Sequence, residues 1–428
     1  MIRGLAVLTL VVAAALTMGT ARSRTNAWCG SGEAATDRLP DAVAAQQIHV
    51  IYATPSDGDD HFAQDAPLVV ADLQSLDGWW HREDPTREPR FDLFAFPGCA
   101  GGLDALDLSS VRLPHDSAYY QPIDGRSDKL RADLSAAFAN PAKKELVFYD
   151  APVDTPFDCG QSSISPDANA FSFVYLQADG CTHDLGAGGG TAGYVAHELL
   201  HNLGAVPDAA PHICFEHAVC DWYWDVETQF PTGDPIAKLV LDYGRDDYYG
   251  HSGSWFDVQD SPWLSHVGAP RYELAVALAG RGQGSVASDL PGIACPGACS
   301  IAWEQNAAVA LDATAAAGSR FLAWSGACSG TSGCTVTVNT PIQVTATFAP
   351  AIVSLGVSIN GRGTVTSAPR GIACPPRCSA RFASGTTVRL RPKPRAGWRL
   401  LHCSCRVYLD DDRRAAVTFR RLRRTLSR

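Results

Sequence analysis

The feature that most restricts how this chain of 428 residues can fold is an internal repeat. Gly284-Ser-Val286, followed by Gly292-Ile-Ala-Cys295-Pro and then Ala298-Cys299, returns as Gly363-Thr-Val365, Gly371-Ile-Ala-Cys374-Pro and Arg377-Cys378, 79 residues on. Gly318-Ser-Arg320 matches Gly397-Trp-Arg399 at the same offset, and Cys334-Thr-Val336 matches Cys405-Arg-Val407 after eight residues are lost. Self-similarity at a fixed period means one supersecondary unit used twice. Runs such as 335–338 and 387–390 alternate apolar and polar residues between Gly, Pro and Ser turns, which predicts two small all-β modules. So small a core gains most from short disulfides. The expected pairs are Cys295 with Cys299, Cys328 with Cys334, and Cys374 with Cys378. Cys403 and Cys405 are one residue apart, so tight a spacing that the second copy reads as degenerate.

All fourteen cysteines follow an N-terminal stretch with Arg3, an apolar run over 5–16 and small or polar residues to Ala27. This has the layout of a secretory signal peptide, 1–27. The run is too short for a membrane anchor, and no later stretch offers eighteen apolar residues, so no transmembrane segment is expected. An even cysteine count in a secreted chain implies disulfides and argues against zinc held by thiolates. The net charge is −10, but from Ala351 onward seventeen Lys or Arg face three Asp, a net of +14. The front is acidic and the back basic, so the parts should meet different partners. For the basic part these are anionic cell-surface polymers such as wall teichoic acid, lipopolysaccharide or released nucleic acid, bound through charge with nothing base-specific. The expected division is a catalytic domain at 28–272, a β module at 273–350, and a second β module with a basic tail at 351–428.

In the front part, 48–52, 146–149 and 171–176 read as apolar strands. Asp65-Ala-Pro67 reads as a helix start leading into 68–80, and Leu130, Leu134 and Phe138 mark one face of a helix over 127–138. Strands alternating with helices predict an α/β (α+β) domain. After Gly186-Ala-Gly-Gly-Gly190, read as a flexible hinge, Thr191 is the expected N-cap of a helix running to Leu203. That helix carries His197-Glu198-Leu-Leu-His201. Histidines at i and i+4 share a face, so both can reach one Zn2+. Glu198, beside them, is placed to act as general base.

His197-Glu-Leu-Leu-His201-Asn-Leu-Gly204 resembles the HExxHxxG start of the metzincin zinc peptidases. The resemblance implies a zincin-like fold, one zinc ion, and hydrolysis of a protein or peptide substrate through a zinc-bound water. It also implies a substrate-binding edge strand ahead of the helix, a role assigned to 171–176, and a third ligand just past the glycine. The position for that ligand is Pro207, which cannot bind metal. His212 is taken as the third ligand, with Asp208 and His217 as alternates. Both methionines lie in the leader, so no Met-turn underlies the site, and Trp222-Tyr-Trp224 is the expected floor. Cys214 and Cys220 should bridge and pin the loop around His217. Asp246, Asp247, Tyr248 and Tyr249, with Asp242 and Asp257, read as a Ca2+ site, as phenols for an oxyanion, or as a turn with solvated carboxylates. The repeat, roughly 274–419, resembles bacterial modules related to internalin B-repeats. The expectation is a secreted zinc metallopeptidase with two surface-display modules. The alternatives are an inactive zincin fold that binds surfaces and a zinc amidase acting on cell-wall peptides.

Overall fold

The structure, a computed structural model, describes residues 28–30, 34–166, 169–215, 217–228 and 233–422. The leader 1–27 and the end of the basic tail lie outside the described residues. The front of the chain runs β1 (Gln47–Thr54), α1 (Phe62–Glu83), β2 (Arg87–Pro89), β3 (Leu108–Arg112), α2 (Ser117–Tyr120), α3 (Arg126–Leu134), β4 (Lys143–Val153), β5 (Gly160–Ser162), β6 (Phe171–Ala178), α4 (Gly190–Leu203), β7 (Ile213–Phe215), β8 (Ala218–Val219) and β9 (Leu264–His266). One sheet has the order β3-β1-β4-β6-β5, parallel except for β5, which runs antiparallel to β6 at the edge. Every residue of β1 is buried, as befits a parallel strand flanked on both sides and covered on both faces. α4 packs on β6 and β5 and against α1.

Three local expectations need correction. α1 begins at Phe62, whose N–H donates to Asp60 Oδ1 (3.0 Å), so Pro67 lies inside the helix and not at its start. α3 ends at Leu134, and Phe138 reaches the core from the following turn instead. The strand over 171–176 is not an edge: β6 is paired on both sides, and the shorter β5 takes the outer position.

The first module comprises β10 (Arg271–Gly280), β11 (Gly284–Ser288), β12 (Ala294–Cys295), β13 (Ser300–Glu304), β14 (Ala307–Ala315), β15 (Ser319–Gly326), β16 (Cys334–Val338) and β17 (Ile342–Pro350). The second comprises β18 (Ile352–Asn360), β19 (Gly363–Ala368), β20 (Ala373–Cys374), β21 (Ser379–Ala383), β22 (Thr386–Pro394), β23 (Trp398–Cys403), β24 (Arg406–Leu409) and β25 (Arg413–Arg421). Each is a pair of four-stranded sheets in one order: β13-β10-β17-β15 with β12-β11-β14-β16, then β21-β18-β25-β23 with β20-β19-β22-β24. Each closes by pairing its first and last long strands in parallel.

The disulfides are Cys29–Cys99, Cys159–Cys181, Cys214–Cys220, Cys295–Cys299, Cys328–Cys334, Cys374–Cys378 and Cys403–Cys405. The last joins the β23–β24 connection where Cys328–Cys334 joins β15 to β16, so the second copy shortens the loop and keeps the bridge. Seven disulfides fit an oxidising compartment. Among the described residues no helix is long and apolar enough to cross a membrane.

The first module is built onto the front domain. Ala44 is buried in the module's core, and the Ala45 N–H donates to Pro291 O (3.0 Å). The buried Arg90 guanidinium donates to Pro262 O, Leu264 O and Gln46 O on its own domain and to Glu304 Oε1 (3.1 Å) on the module. The second module meets the first through fewer bonds, Ala351 N–H to Gly318 O and Ser384 N–H to Ala351 O.

Candidate metal centre

α4 is positioned by its ends. Its N-cap is Gly189, not Thr191, and the capping acceptor is Asp184, whose carboxylate takes the N–H groups of Gly190 (3.0 Å) and Thr191 (2.9 Å). The glycine run is required by close approach and is not a hinge: a Cβ on Gly189 would meet Asp184 Oδ2 at 1.7 Å. At the other end Gly204, at φ 105°, turns the chain back, with its N–H on His201 O, a conformation other residues adopt only with strain.

His197 and His201 stand one turn apart with ring centroids 4.6 Å apart. The His197 Nδ1–H donates to Val226 O (2.8 Å), which leaves Nε2 with its lone pair free, the arrangement metal-binding histidines commonly have. Facing both rings is Glu227, with Oε2 3.2 Å from His197 Nδ1 and 3.2 Å from His201 Nε2. Glu227 is fully buried, and neither carboxylate oxygen has a hydrogen-bond partner; His201 Nδ1 also lacks one. Burial pushes both imidazoles down and the Glu227 carboxyl well up. Neutral imidazoles are the form that ligates, and an unpartnered buried carboxylate is costly without a cation. The three residues therefore fit a divalent metal: their ligand atoms all lie within 4.8 Å of one another.

Glu227 is not legible in the sequence because it lies beyond any fixed spacing from Gly204, three residues past the aromatic stretch 222–224. The backbone that reaches the histidines is that of Val226, whereas Trp222 and Tyr223 of the expected floor are exposed. Asp225 shapes this segment, accepting from the N–H groups of Glu227 (2.8 Å) and Tyr243 (2.7 Å) and from Tyr248 Oη (2.7 Å).

Glu198 is buried against the edge strand. A Cβ on Gly160 would lie 2.6 Å from both its Cγ and its Oε1, and Ser162 Oγ donates to its backbone carbonyl (2.8 Å). Burial, with a smaller contribution from Asp158, pushes the Glu198 carboxyl up to about 8. The Cys159–Cys181 bridge clamps β5 in place immediately before Gly160. Beside the centre is a cavity of about 510 Å³ lined by Ser162, Ile164, His201, Pro207, Asp208 and His217. Asp208 and His217 sit at its rim, exposed, with Asp208 Oδ1 3.4 Å from His217 Nδ1. The Cys214–Cys220 bridge closes the β7–β8 hairpin whose turn carries His217.

His212 does not join His197 and His201. Its backbone N–H donates to Asp247 Oδ1 (2.9 Å) and its Nδ1 lies 3.0 Å from Asp247 Oδ2, with Asp221 and Asp246 within 4.0 Å. That hydrogen bond to Asp247 leads in raising its pKa. The oxyanion role for Tyr248 and Tyr249 also fails, since both rings are fully buried with their hydroxyls on Asp225 and Asp84. Of the nearby acids Asp246 is exposed and Asp247 buried. Asp242 is buried and accepts the N–H groups of Asp247, Tyr248 and Tyr249, and Asp257 accepts those of Gly250 and Gln259. Asp242 and Asp257 organise the turn, while Asp221, Asp246 and Asp247 gather around His212 as a group that could hold a metal ion.

Comparisons with known proteins bear mainly on the back of the chain. Residues 275–352 match a family model described as a divergent InlB B-repeat domain. No curated protein matches. Among solved structures, wild-type OgpA from Akkermansia muciniphila is 8% identical at a TM-score of 0.29, covering 91% of this chain and 98% of that one. Catalytically inactive OgpA in complex with an O-glycopeptide substrate is 11% identical at 0.29, covering 74% and 99%. The Bacillus anthracis TIE protein is 7% identical at 0.26, covering 37% of this chain and only 35% of its own length. Likenesses this weak carry no argument about the site, which rests on its own geometry.

Proposed function

We propose that the front domain is a zinc-dependent peptidase in which His197, His201 and Glu227 hold the metal and Glu198 is the general base. The observation that carries this is the buried Glu227 carboxyl, without a hydrogen-bond partner, facing two imidazoles on one helix. Zinc bound by such a set lowers the pKa of water to about 7 and polarises a carbonyl. Glu198, whose affinity for a proton is raised by burial, is suited to take a proton there and return it to a leaving amine. The outer edge of β5 offers unpaired backbone groups to an extended peptide, which favours an amide in a strand-like chain as substrate. Ser162 belongs both to that edge and to the cavity wall, so a peptide added to β5 would run alongside the metal ligands.

The test is elemental analysis of the purified mature protein together with digestion of casein and a peptide library. About one zinc per chain with peptide cleavage is expected, and Glu198→Gln should keep the zinc while turnover falls roughly 10²–10⁴-fold. Absence of both zinc and hydrolysis would leave a binding protein on a zincin-like frame. Digestion of peptidoglycan without peptide cleavage would make it an amidase.

A further inference from the structure

The repeat is a controlled comparison, because two modules of one topology differ in what they present to solvent. In β14 of the first module, Val309 and Leu311 point into the core, while Ala308, Asp312 and Thr314 are exposed and Ala310 is half-buried. In β22 of the second, Val388 and Leu390 keep the inward places, and the corresponding positions are Thr387, Arg389, Arg391 and Lys393. The neighbouring strand repeats the change: Thr335 pairs with Ala310 in the first module, whereas Arg406 pairs with Arg389 in the second. Residues 273–350 hold two basic and four acidic side chains, a net of −2, against +14 from Ala351 onward.

The inward residues account for the fold of both modules, so the outward arginines are not needed for it. Arg389 and Arg406 stand directly opposite each other, a like-charge pairing that destabilises a sheet. None of Arg389, Arg391, Lys393 and Arg406 has an ion-pair or hydrogen-bond partner among the described residues, unlike Arg413, which holds Asp410. Beyond Arg391 the surface continues into a depression of about 650 Å³ shared with Arg370 and Arg377.

We infer that the exposed face of β22 and β24 binds a linear sugar- or polyol-phosphate polymer of a cell envelope. Alternate residues on a strand are roughly 7 Å apart, so Arg389, Arg391 and Lys393 form a single row of widely spaced charges. That row matches an extended chain that carries one phosphate per repeating unit. Sixteen of the seventeen basic residues after Ala351 are arginine, the side chain whose planar fork suits phosphate oxygens. Tyr408, exposed beside Arg406 and paired with Thr387, adds one apolar surface. A single aromatic serves a sugar ring but cannot stack the successive bases of a nucleic acid.

The experiment is titration of the full-length protein with poly(glycerol phosphate), with (dT)20 and polyglutamate as comparison polymers. Salt-sensitive binding is expected, with log K against log [salt] sloping at roughly −0.7 per neutralised phosphate, hence about −3 for four. The variant R389S/R391S/K393S/R406S, changed only at solvent-facing positions, should lose at least tenfold in affinity and most of that slope while its hydrolytic activity is unchanged. Far-ultraviolet dichroism and the melting transition of the second module would show that the variant is folded. No binding at 50 mM salt, equal binding by a folded variant, equal affinity for polyglutamate, or tighter binding of (dT)20 would each overturn the assignment.

Discussion

At the scale of the residue, the proposed centre pairs two side chains that a motif announces with one that it does not. His197 and His201 are fixed by helical spacing alone. Glu227 is identified only when the fold folds its stretch back beneath α4, and no count of residues from Gly204 leads there. His212 shows the converse: a histidine at an attractive distance in sequence is claimed by Asp247, whose carboxylate fixes both its backbone and its ring. Zinc occupancy should therefore fall in Glu227→Gln by more than the 10–100-fold typical of changes around a ligand set, and stay unchanged in His212→Ala; the reverse pattern in elemental analysis would restore His212. A second residue-scale expectation concerns His49, wholly buried between Asp92 and Ser109. Burial, opposed by nearby Asp107 and Asp37, lowers its pKa to about 4. An unfolded chain takes up this proton near 6.5, so the contribution to stability is complete above that pH and is lost as pH falls towards 4. Between pH 7 and 5, wild type should lose about 2 kcal/mol more than His49→Gln in urea unfolding. Equal losses would show that His49 titrates normally.

At the scale of the element, the helix carrying the motif was legible because periodicity and the closing Gly204 agree. Its start was misplaced because Asp184, six residues before Gly190, caps it through the tertiary turn. The edge of the sheet is misplaced in the sequence reading for a related reason. Phe171–Ala178 has the apolar character of a strand, but only pairing partners reveal whether a strand lies inside a sheet, and the true edge, Gly160–Ser162, is too short and polar to stand out. Gly160 is the contact on which this edge depends. A methyl group there would also meet Phe173 O at 2.6 Å, a backbone atom that cannot swing away. Gly160→Ala should thus displace Glu198 or part β5 from β6, lowering kcat at least tenfold while zinc content stays near one per chain. Unaltered kcat in that variant would separate Glu198 from the chemistry of the edge. In the modules the sequence repeat carried most of the architecture, since disulfide spacing and alternation both survive in each copy. What it left out was the parallel closure of first and last strands, which is long-range and has no local signature.

At the scale of the whole molecule, composition divides the chain into three, whereas packing joins the first two parts. The acidic front and the first module share Arg90, which is 7% exposed and bonded on both sides of the boundary, and Ala44 belongs to the module's core although it precedes β1. The second module is attached through little more than the connection at 349–351. Calorimetry of the intact protein should show two unfolding transitions and not three, with limited proteolysis near Ala351 removing only the later-numbered one. Three separable transitions would mean that the Arg90 contact contributes nothing measurable. Such coupling has a practical bearing on any shortened version of this chain. A fragment cut where the front sheet ends, near residue 270, would leave Arg90 without Glu304 and Ala44 without a pocket, and would be expected to come out insoluble. The smallest version worth expressing runs to about residue 350, so what looks in the sequence like a detachable accessory is, for manufacture, the base on which the front domain stands.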